Sequence, residues 1–365
     1  MTTPTAPALK EIFNRERLEH IAREMLAVDP AFDHHGFLDH ATRDLAGLSV
    51  MQRLARVSES LHAVLPSGYE DNLARLYALA PRLDSRFVCM FLPHYVASYG
   101  RHDFPRSMAA LKHFTTFGSS EFAIRPFLAS DLPRTLAVLR EWAGDANEHV
   151  RRLASEGSRP RLPWSFRLEA IQADPELAAP ILEQLKADPS LYVRKSVANH
   201  LNDIAKDHPD WLLERLEGWS LEHPHTAWIA RHALRSLIKQ GNRRALAIIG
   251  AGHAPQVRLH GLRVEPTAIR LGERINLSFA LESTAEASQR LVVDYAIDYI
   301  KASGATRAKV FKLKTLTLPA GAREQLGRAQ HIRELTTRRH YPGRHVLHIL
   351  VNGERLGSTA FDIHD

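Results

Sequence analysis

The apolar periodicity of this chain changes once, near residue 256, and that switch limits the fold more than any other feature. Up to about residue 250, apolar side chains recur at steps of three and four, as in LARLYALAPRL, PRTLAVLREWAGD and PELAAPILEQLKADP. Pro, Gly and Asp punctuate them, which is the pattern of short amphipathic helices. From 256 onward the segments RINLSFALEST, RLVVDYAIDYI, RAKVFKLKTLTL and RHVLHILVNGERLGSTAFDI alternate apolar and polar residues. The turn tokens SGAT, PAG, YPG and NGE separate them. About seven strands in this stretch predict an immunoglobulin-like β-sandwich. The expected architecture is mainly α: a helical domain over 1–255, then a sandwich over 256–365.

The helical part carries an internal echo. A branched apolar residue followed by a basic or polar pair recurs at Val150-Arg151-Arg152, Val193-Arg194-Lys195 and Ile229-Ala230-Arg231, at steps of 43 and 36 residues. Each copy follows a shorter apolar helix and an acidic turn: GDANEH, ADPSLY and EHPHTA. That length suits a HEAT-type helix pair, and stacked pairs form a solenoid with a concave face.

Each echoing helix presents a polar stripe. Lys195, Asn199 and Asp203 form one; Arg231, Arg235 and Lys239 a second, wholly basic one; Glu148, Arg152 and Glu156 a third. One stripe alone reads as a solvated face. Three in successive helix pairs read equally as a wall whose Lys and Arg meet phosphates. The loop SEGSRPRLPW adds Glu156, Arg159, Arg161 and Trp164, stiffened by two prolines. Trp164 there either packs in the core or offers its face to a base, a sugar or a cation. Glu121 lies in FGSSEFAIRPFL, where Ser119 or Ser120 can cap a helix with the acid in its first turn. The other reading places Glu121 beside Glu156 and Asp203 as a carboxylate cluster. Acids weaken phosphate binding, so such a cluster suits a cationic group.

Charge and composition exclude several classes. Residues 256–365 hold 17 Lys and Arg against 11 Asp and Glu, a surplus of +6, whereas the first 255 residues hold 31 against 30. A basic tail beside a neutral body suits a polyanion such as nucleic acid. A single cysteine, Cys89, excludes a disulfide framework and a cysteine-built zinc site. No apolar run approaches the ~20 residues of a membrane span. The first 25 residues lack the apolar core of a signal peptide. A soluble protein of the reducing cytoplasm is expected. The sequence contains no phosphate loop, HExxH, paired CxxC or GxSxG. The histidine groups His34/His35/His40, His223/His225 and His340/His345/His348 lack ligand spacing. No metal and no cofactor is expected.

The stretches SSEFAIRPFL, HVRRLASEGSRPRLPW and SLYVRKSVANHLNDIAKDHPDW resemble the DNA alkylation repair family of HEAT-repeat glycosylases. So do VVDYAIDYIKASGATRAKVFKLK and TTRRHYPGRHVLHILVNG in the tail. The resemblance covers nearly the whole chain, and the sandwich tail sides with the AlkC branch rather than the AlkD branch, which lacks it. It implies hydrolysis of the N-glycosidic bond of cationic alkylated bases, 3-methyladenine and 3-methylcytosine first, in double-stranded DNA. It also implies a lesion trapped in opened DNA rather than flipped into a pocket. On the same footing Glu121, Glu156 and Asp203 form the catalytic carboxylate cluster, and Trp164 contacts the lesion nucleotide. Phosphate contacts are expected from Arg152, Arg159, Arg161, Lys195, Arg231 and Arg235, and from Arg338, Arg339 and Arg344 around the YPG turn. The protein is expected as a monomer at the nucleoid of a bacterial cytoplasm. The competing classes are a non-catalytic HEAT-repeat scaffold and a DNA-binding module without chemistry; neither gains anything from three acids in a groove.

Overall fold

A computed structural model describes residues 8–65, 68–334 and 339–364. Among the described residues, sixteen α-helices precede eight β-strands. The helices are α1 (Arg15–Val28), α2 (His34–Thr42), α3 (Val50–Val64), α4 (Tyr69–Leu79), α5 (Phe91–Tyr99), α6 (Phe104–Phe114), α7 (Arg125–Ser130) and α8 (Leu132–Trp142). They continue with α9 (Glu148–Gly157), α10 (Glu169–Ala173), α11 (Ala179–Leu185), α12 (Leu191–Ile204), α13 (Pro209–Glu217), α14 (Pro224–Ala233), α15 (Arg235–Lys239) and α16 (Arg243–Ile248). The first strand begins at Val257, where the periodicity switches. The fold is therefore the helical body and strand-rich tail that the sequence pattern implies.

The Asp and Asn punctuation has a physical reason. Asn14, Asp33, Asp103, Asp131 and Asn147 each accept a hydrogen bond from a first-turn N–H of the helix that follows. Proline sits in the first turn of α6, α7, α8 and α11, where its missing N–H costs nothing.

The two units into which the chain folds do not divide at the helix-to-strand switch. One comprises the residues up to Asp207 with His223–His225; the other comprises His208–Glu222 and everything from Thr226 onward. In the first, α9 packs against both α8 and α12, and α11 against α8, α9 and α12, giving stacked helix pairs. The sequence echo is explained here. Arg151 folds back so that its Nη1 donates to the carbonyls of Asp145 and Ala146, both at 2.9 Å. Arg194 does the same to Asp188 and Pro189, at 2.9 and 2.7 Å. In each acidic turn the aspartate accepts the N–H two residues on, Asn147 to Asp145 and Ser190 to Asp188. The repeated arginine thus satisfies the carbonyls of the turn that precedes its helix. The third copy has Ala230 at this position and cannot form the bond.

In the second unit β1 (Val257–Glu265), β3 (Arg274–Ser283) and β6 (Arg323–His331) form one antiparallel sheet in the order β1-β3-β6. The other sheet, β2-β8-β7-β4-β5, contains β2 (Ala268–Arg270), β4 (Gln289–Ile300), β5 (Thr306–Leu318), β7 (Gly343–Val351) and β8 (Glu354–His364). Among the described residues only the β2–β8 pairing is parallel. Ile275, Leu277, Phe279 and Leu281 of β3 meet Leu291, Val293, Tyr295 and Ile297 of β4 in one core, as alternation requires. The last helices before the switch, α13, α15, α16 and most of α14, belong to this unit. Gly241 and Gly353, both with positive φ, pack backbone on backbone; a Cβ on Gly353 would lie 2.6 Å from the Gly241 Cα. The Asn352 side chain donates to the His253 carbonyl at 3.1 Å.

Asp188 is almost fully buried and held by the Arg151 guanidinium at 2.7 Å. Arg151→Met is expected to lower unfolding stability by about 2 kcal/mol through the stranded carboxylate. Urea denaturation of the variant against the wild type measures this.

Candidate functional site

The first unit brings Glu121, Glu156 and Asp203 into one alternating chain of charges. Arg152 Nη1 donates to Glu121 and, at 2.9 Å, to Ser119 Oγ. Its other terminal nitrogen lies 3.5 Å from Glu156 Oε1. Arg159 Nη1 reaches the same oxygen at 2.5 Å. Arg159 Nη2 and Nε then hold Asp203 Oδ2 at 2.7 and 2.8 Å. Lys206 closes the series on Asp203 Oδ1 at 2.8 Å. Burial opposes the charge of Arg152, yet Glu156 and Glu121 hold its pKa above the usual guanidinium range. The same balance, with Glu156 and Asp203, raises Arg159. Among the described residues, Glu121 Oε1 and Glu156 Oε2 accept no hydrogen bond, so each acid keeps one oxygen for a ligand.

Two of these acids stand where a helix disfavours them. Glu156 lies in the last turn of α9 and Asp203 in the last turn of α12, and neither turn contains a basic residue. A carboxylate at a helix C-terminus costs about 0.3–1 kcal/mol against the helix dipole. Arg159, just beyond α9, offsets this for both. Glu121 sits in the turn before α7. Its serines do not cap that helix: Ser119 Oγ donates to Glu121 Oε2 at 2.9 Å and Ser120 Oγ to the Leu111 carbonyl at 2.8 Å.

The loop after α9 hangs on Arg125, which is fully buried. Its Nη1 donates to the carbonyls of Gly157 and Arg159 at 3.0 and 2.7 Å, and Nη2 donates to that of Phe166. Burial, assisted by the nearby Arg159 charge, pushes its pKa down to about 10. Trp164 crowns the loop at 63% exposure, with φ of 65°. The left-handed backbone costs a side-chain-bearing residue about 1–2 kcal/mol, and the exposed indole gains nothing from burial. Folding does not reward this placement, which excludes the core-packing reading.

Beneath the acids lies His200, wholly buried. Its Nδ1–H donates to the Ser155 carbonyl at 3.0 Å, since a carbonyl can only accept. Burial first, and the Arg159 charge second, push its pKa down to about 4. It is a neutral support.

The remaining sequence candidates are dispersed. Arg161 is held by Asp207 at 2.6 and 2.8 Å. Lys195 is exposed on α12. Arg231 and Arg235 belong to the second unit. Arg339 is exposed beside the Tyr341 ring and Arg344 is exposed at the start of β7; Arg338 lies outside the described residues. The sequence reading missed Arg125, Tyr192, Lys206 and His200. Tyr192, whose ring lies 5.1 Å from the Arg152 guanidinium, was legible as an aromatic one residue from an echo. Arg125 left no signal, because its partners are backbone carbonyls.

The sequence pattern of a family described as DNA alkylation repair enzyme matches residues 8–237. The chain belongs to this family. A second pattern, the C-terminal Ig-like domain of the uncharacterised protein YhaZ, matches residues 258–365. The uncharacterised protein YhaZ of Bacillus subtilis is 42% identical over 356 residues, 97% of this chain and 99% of its own length. Among solved structures, the Pseudomonas fluorescens alkylpurine DNA glycosylase AlkC, bound to DNA containing an abasic site analogue, is 71% identical. It superposes with a TM-score of 0.96 over 98% of this chain and all of the other. This family member therefore has the AlkC fold across both its parts.

The buried histidine gives a pH test. Its pKa falls from 6.5 to about 4 on folding, so the unfolded chain binds the extra proton. Its stability contribution is complete above pH 6.5 and is lost by about 1.4 kcal/mol per unit as pH falls from there toward 4. His200→Asn should flatten the stability difference between pH 7 and pH 5 by that slope, read by denaturant melts at both.

Proposed function

We propose that this chain is an alkylpurine DNA glycosylase of the AlkC type that releases 3-methyladenine and 3-methylcytosine from double-stranded DNA. The observation that carries this reading is the acidic cluster, three carboxylates held on one framework by Arg152 and Arg159. The kinship with an alkylpurine glycosylase solved on abasic-site DNA supports it.

The chemistry follows from the charges. An N3-methylated base is already cationic, so it leaves without being protonated. The C1′–N bond breaks, its electron pair neutralises the base, and an oxocarbenium-like sugar remains. Water then adds to C1′ and loses a proton to a carboxylate. Glu121 Oε1 and Glu156 Oε2 are positioned to face that cation or its water. Asp203 Oδ1 joins them when Lys206, itself half-exposed, swings away from the buried carboxylate. Trp164, on its anchored loop, lies against the lesion nucleotide, which stays in opened DNA rather than entering a pocket. Arg152 and Arg159 fix the acids, and this occupies the groups expected at phosphates. Phosphate contacts then fall to Lys195, Arg231 and Arg235, to Arg161 once it exchanges Asp207 for a phosphate, and on the sandwich to Arg338, Arg339 and Arg344.

The test is base release from methylated duplex DNA, resolving 3-methyladenine, 3-methylcytosine and 7-methylguanine. The wild type is expected to release the first two preferentially. Asp203→Asn and Glu156→Gln should each slow release by about 10²–10³-fold while retaining DNA binding. Salt-dependent DNA binding with no base release from the wild type would leave a binding module and overturn the enzymatic reading.

A further inference from the structure

One basic stripe, whose arginines are assigned above to phosphate contacts, also lines a cleft of its own. Arg231, Arg235 and Lys239 run along α14 and α15 within the second unit. They line a cleft of about 270 Å³ together with Arg290 of β4 and Lys312 of β5. The strand register explains the juxtaposition. Arg290, Val292 and Asp294 alternate on the face of β4 opposite the sandwich core, and Lys312 pairs with Asp294 across the ladder. This outer face is covered rather than solvated: Ile238 and Ile249 join Val292 in the same lining.

At the base of the cleft lies Asp294, only 6% exposed. Its Oδ1 has no hydrogen-bond partner among the described residues. The Leu313 backbone N–H donates to the carboxylate, Lys312 and Lys239 act on it through space, and burial still pushes its pKa up to about 6. Above it the cations are short of counterions. Arg231, Lys239, Arg290 and Lys312 are exposed, and none has a carboxylate within ion-pair distance among the described residues. Burial and the neighbouring Arg290 charge lower the pKa of Arg231. A rim of unmatched cations asks for an anion. The one buried carboxylate oxygen left without a donor asks for an N–H or O–H on the same ligand. An apolar wall between them suits a flat ring or a sugar.

We propose that this cleft binds a single nucleoside phosphate, with the phosphate on the Arg and Lys rim, the nucleoside against Ile238, Ile249 and Val292, and one nucleoside donor on Asp294. The inference does not rest on the chemistry of the acidic cluster. The nucleoside phosphate is either a free nucleotide or an unpaired nucleotide of a DNA strand.

Asp294→Asn gives a test by sign. In a plain anion patch, removing the carboxylate charge strengthens every anion. In a nucleoside-phosphate site it strengthens inorganic phosphate and weakens the nucleotide. Asn is isosteric with Asp and keeps an oxygen for the Leu313 N–H, so the variant leaves the fold intact. Calorimetric titration of the full chain with the four deoxynucleoside monophosphates, inorganic phosphate and a short single-stranded oligonucleotide reads the outcome. At least one monophosphate should bind about tenfold or more tightly than inorganic phosphate. The exposed pair Arg290→Ala with Lys312→Ala should weaken it by about tenfold. Asp294→Asn should weaken it about fivefold. The same two dependences on the oligonucleotide alone support the site with a strand as its source. Strengthening of all ligands by Asp294→Asn, or no nucleotide whose affinity depends on both Asp294 and the rim, overturns the proposal.

Discussion

The helical unit depends on one buried cation. Arg125 gathers the carbonyls at both shoulders of the loop that follows α9, and among the described residues no carboxylate pairs with it. A guanidinium suits this task because its donors are planar and divergent, and it stays charged even when burial pulls its pKa to about 10. Two consequences follow from that single anchor. Arg159, whose own carbonyl Arg125 holds, is fixed where it can bridge Glu156 and Asp203. Trp164 is held out in solvent on a backbone it would not otherwise adopt.

The acidic cluster shows what the fold concedes to this arrangement. Acids at the ends of α9 and α12 oppose the helix dipoles, and an exposed indole forgoes burial. Each concession is local, and each is offset by a named partner: Arg159 for the two helix ends, Arg125 for the loop. The alternation of acid and base also prevents the carboxylates from repelling one another, so three of them share a small volume. Neutral His200 beneath them adds packing without adding charge.

Much of this was legible in the sequence, for reasons that can be assigned to residues. The change of period near 256 marked helices and strands because each element buries one face at its own spacing. The echo at Val150 and Val193 was visible because Arg151 and Arg194 answer the same turn carbonyls. Glu156 and Asp203 were found as polar residues in helix stripes and Glu121 as an acid after a candidate capping serine, and the structure brings them together. The pairing of Arg152 and Arg159 was not legible, since a basic residue on a helix face reads alike whether it meets solvent, phosphate or acid. Nor was Arg125, whose partners are carbonyls that every residue possesses. The grouping of most of residues 208–249 with the sandwich also left no trace, because a helix pattern names the buried face but not what covers it.

Strand β4 is buried on both faces, its outer one carrying Val292, Asp294 and Ala296. An ordinary sandwich strand leaves that face to water. A tail excised at the helix-to-strand switch would therefore bare an apolar strip flanking an ionisable group, and would invite self-association. Modularity in this protein does not follow secondary structure. The portable cassette begins upstream, among the helices, and any exchange of tails between relatives must carry those helices along.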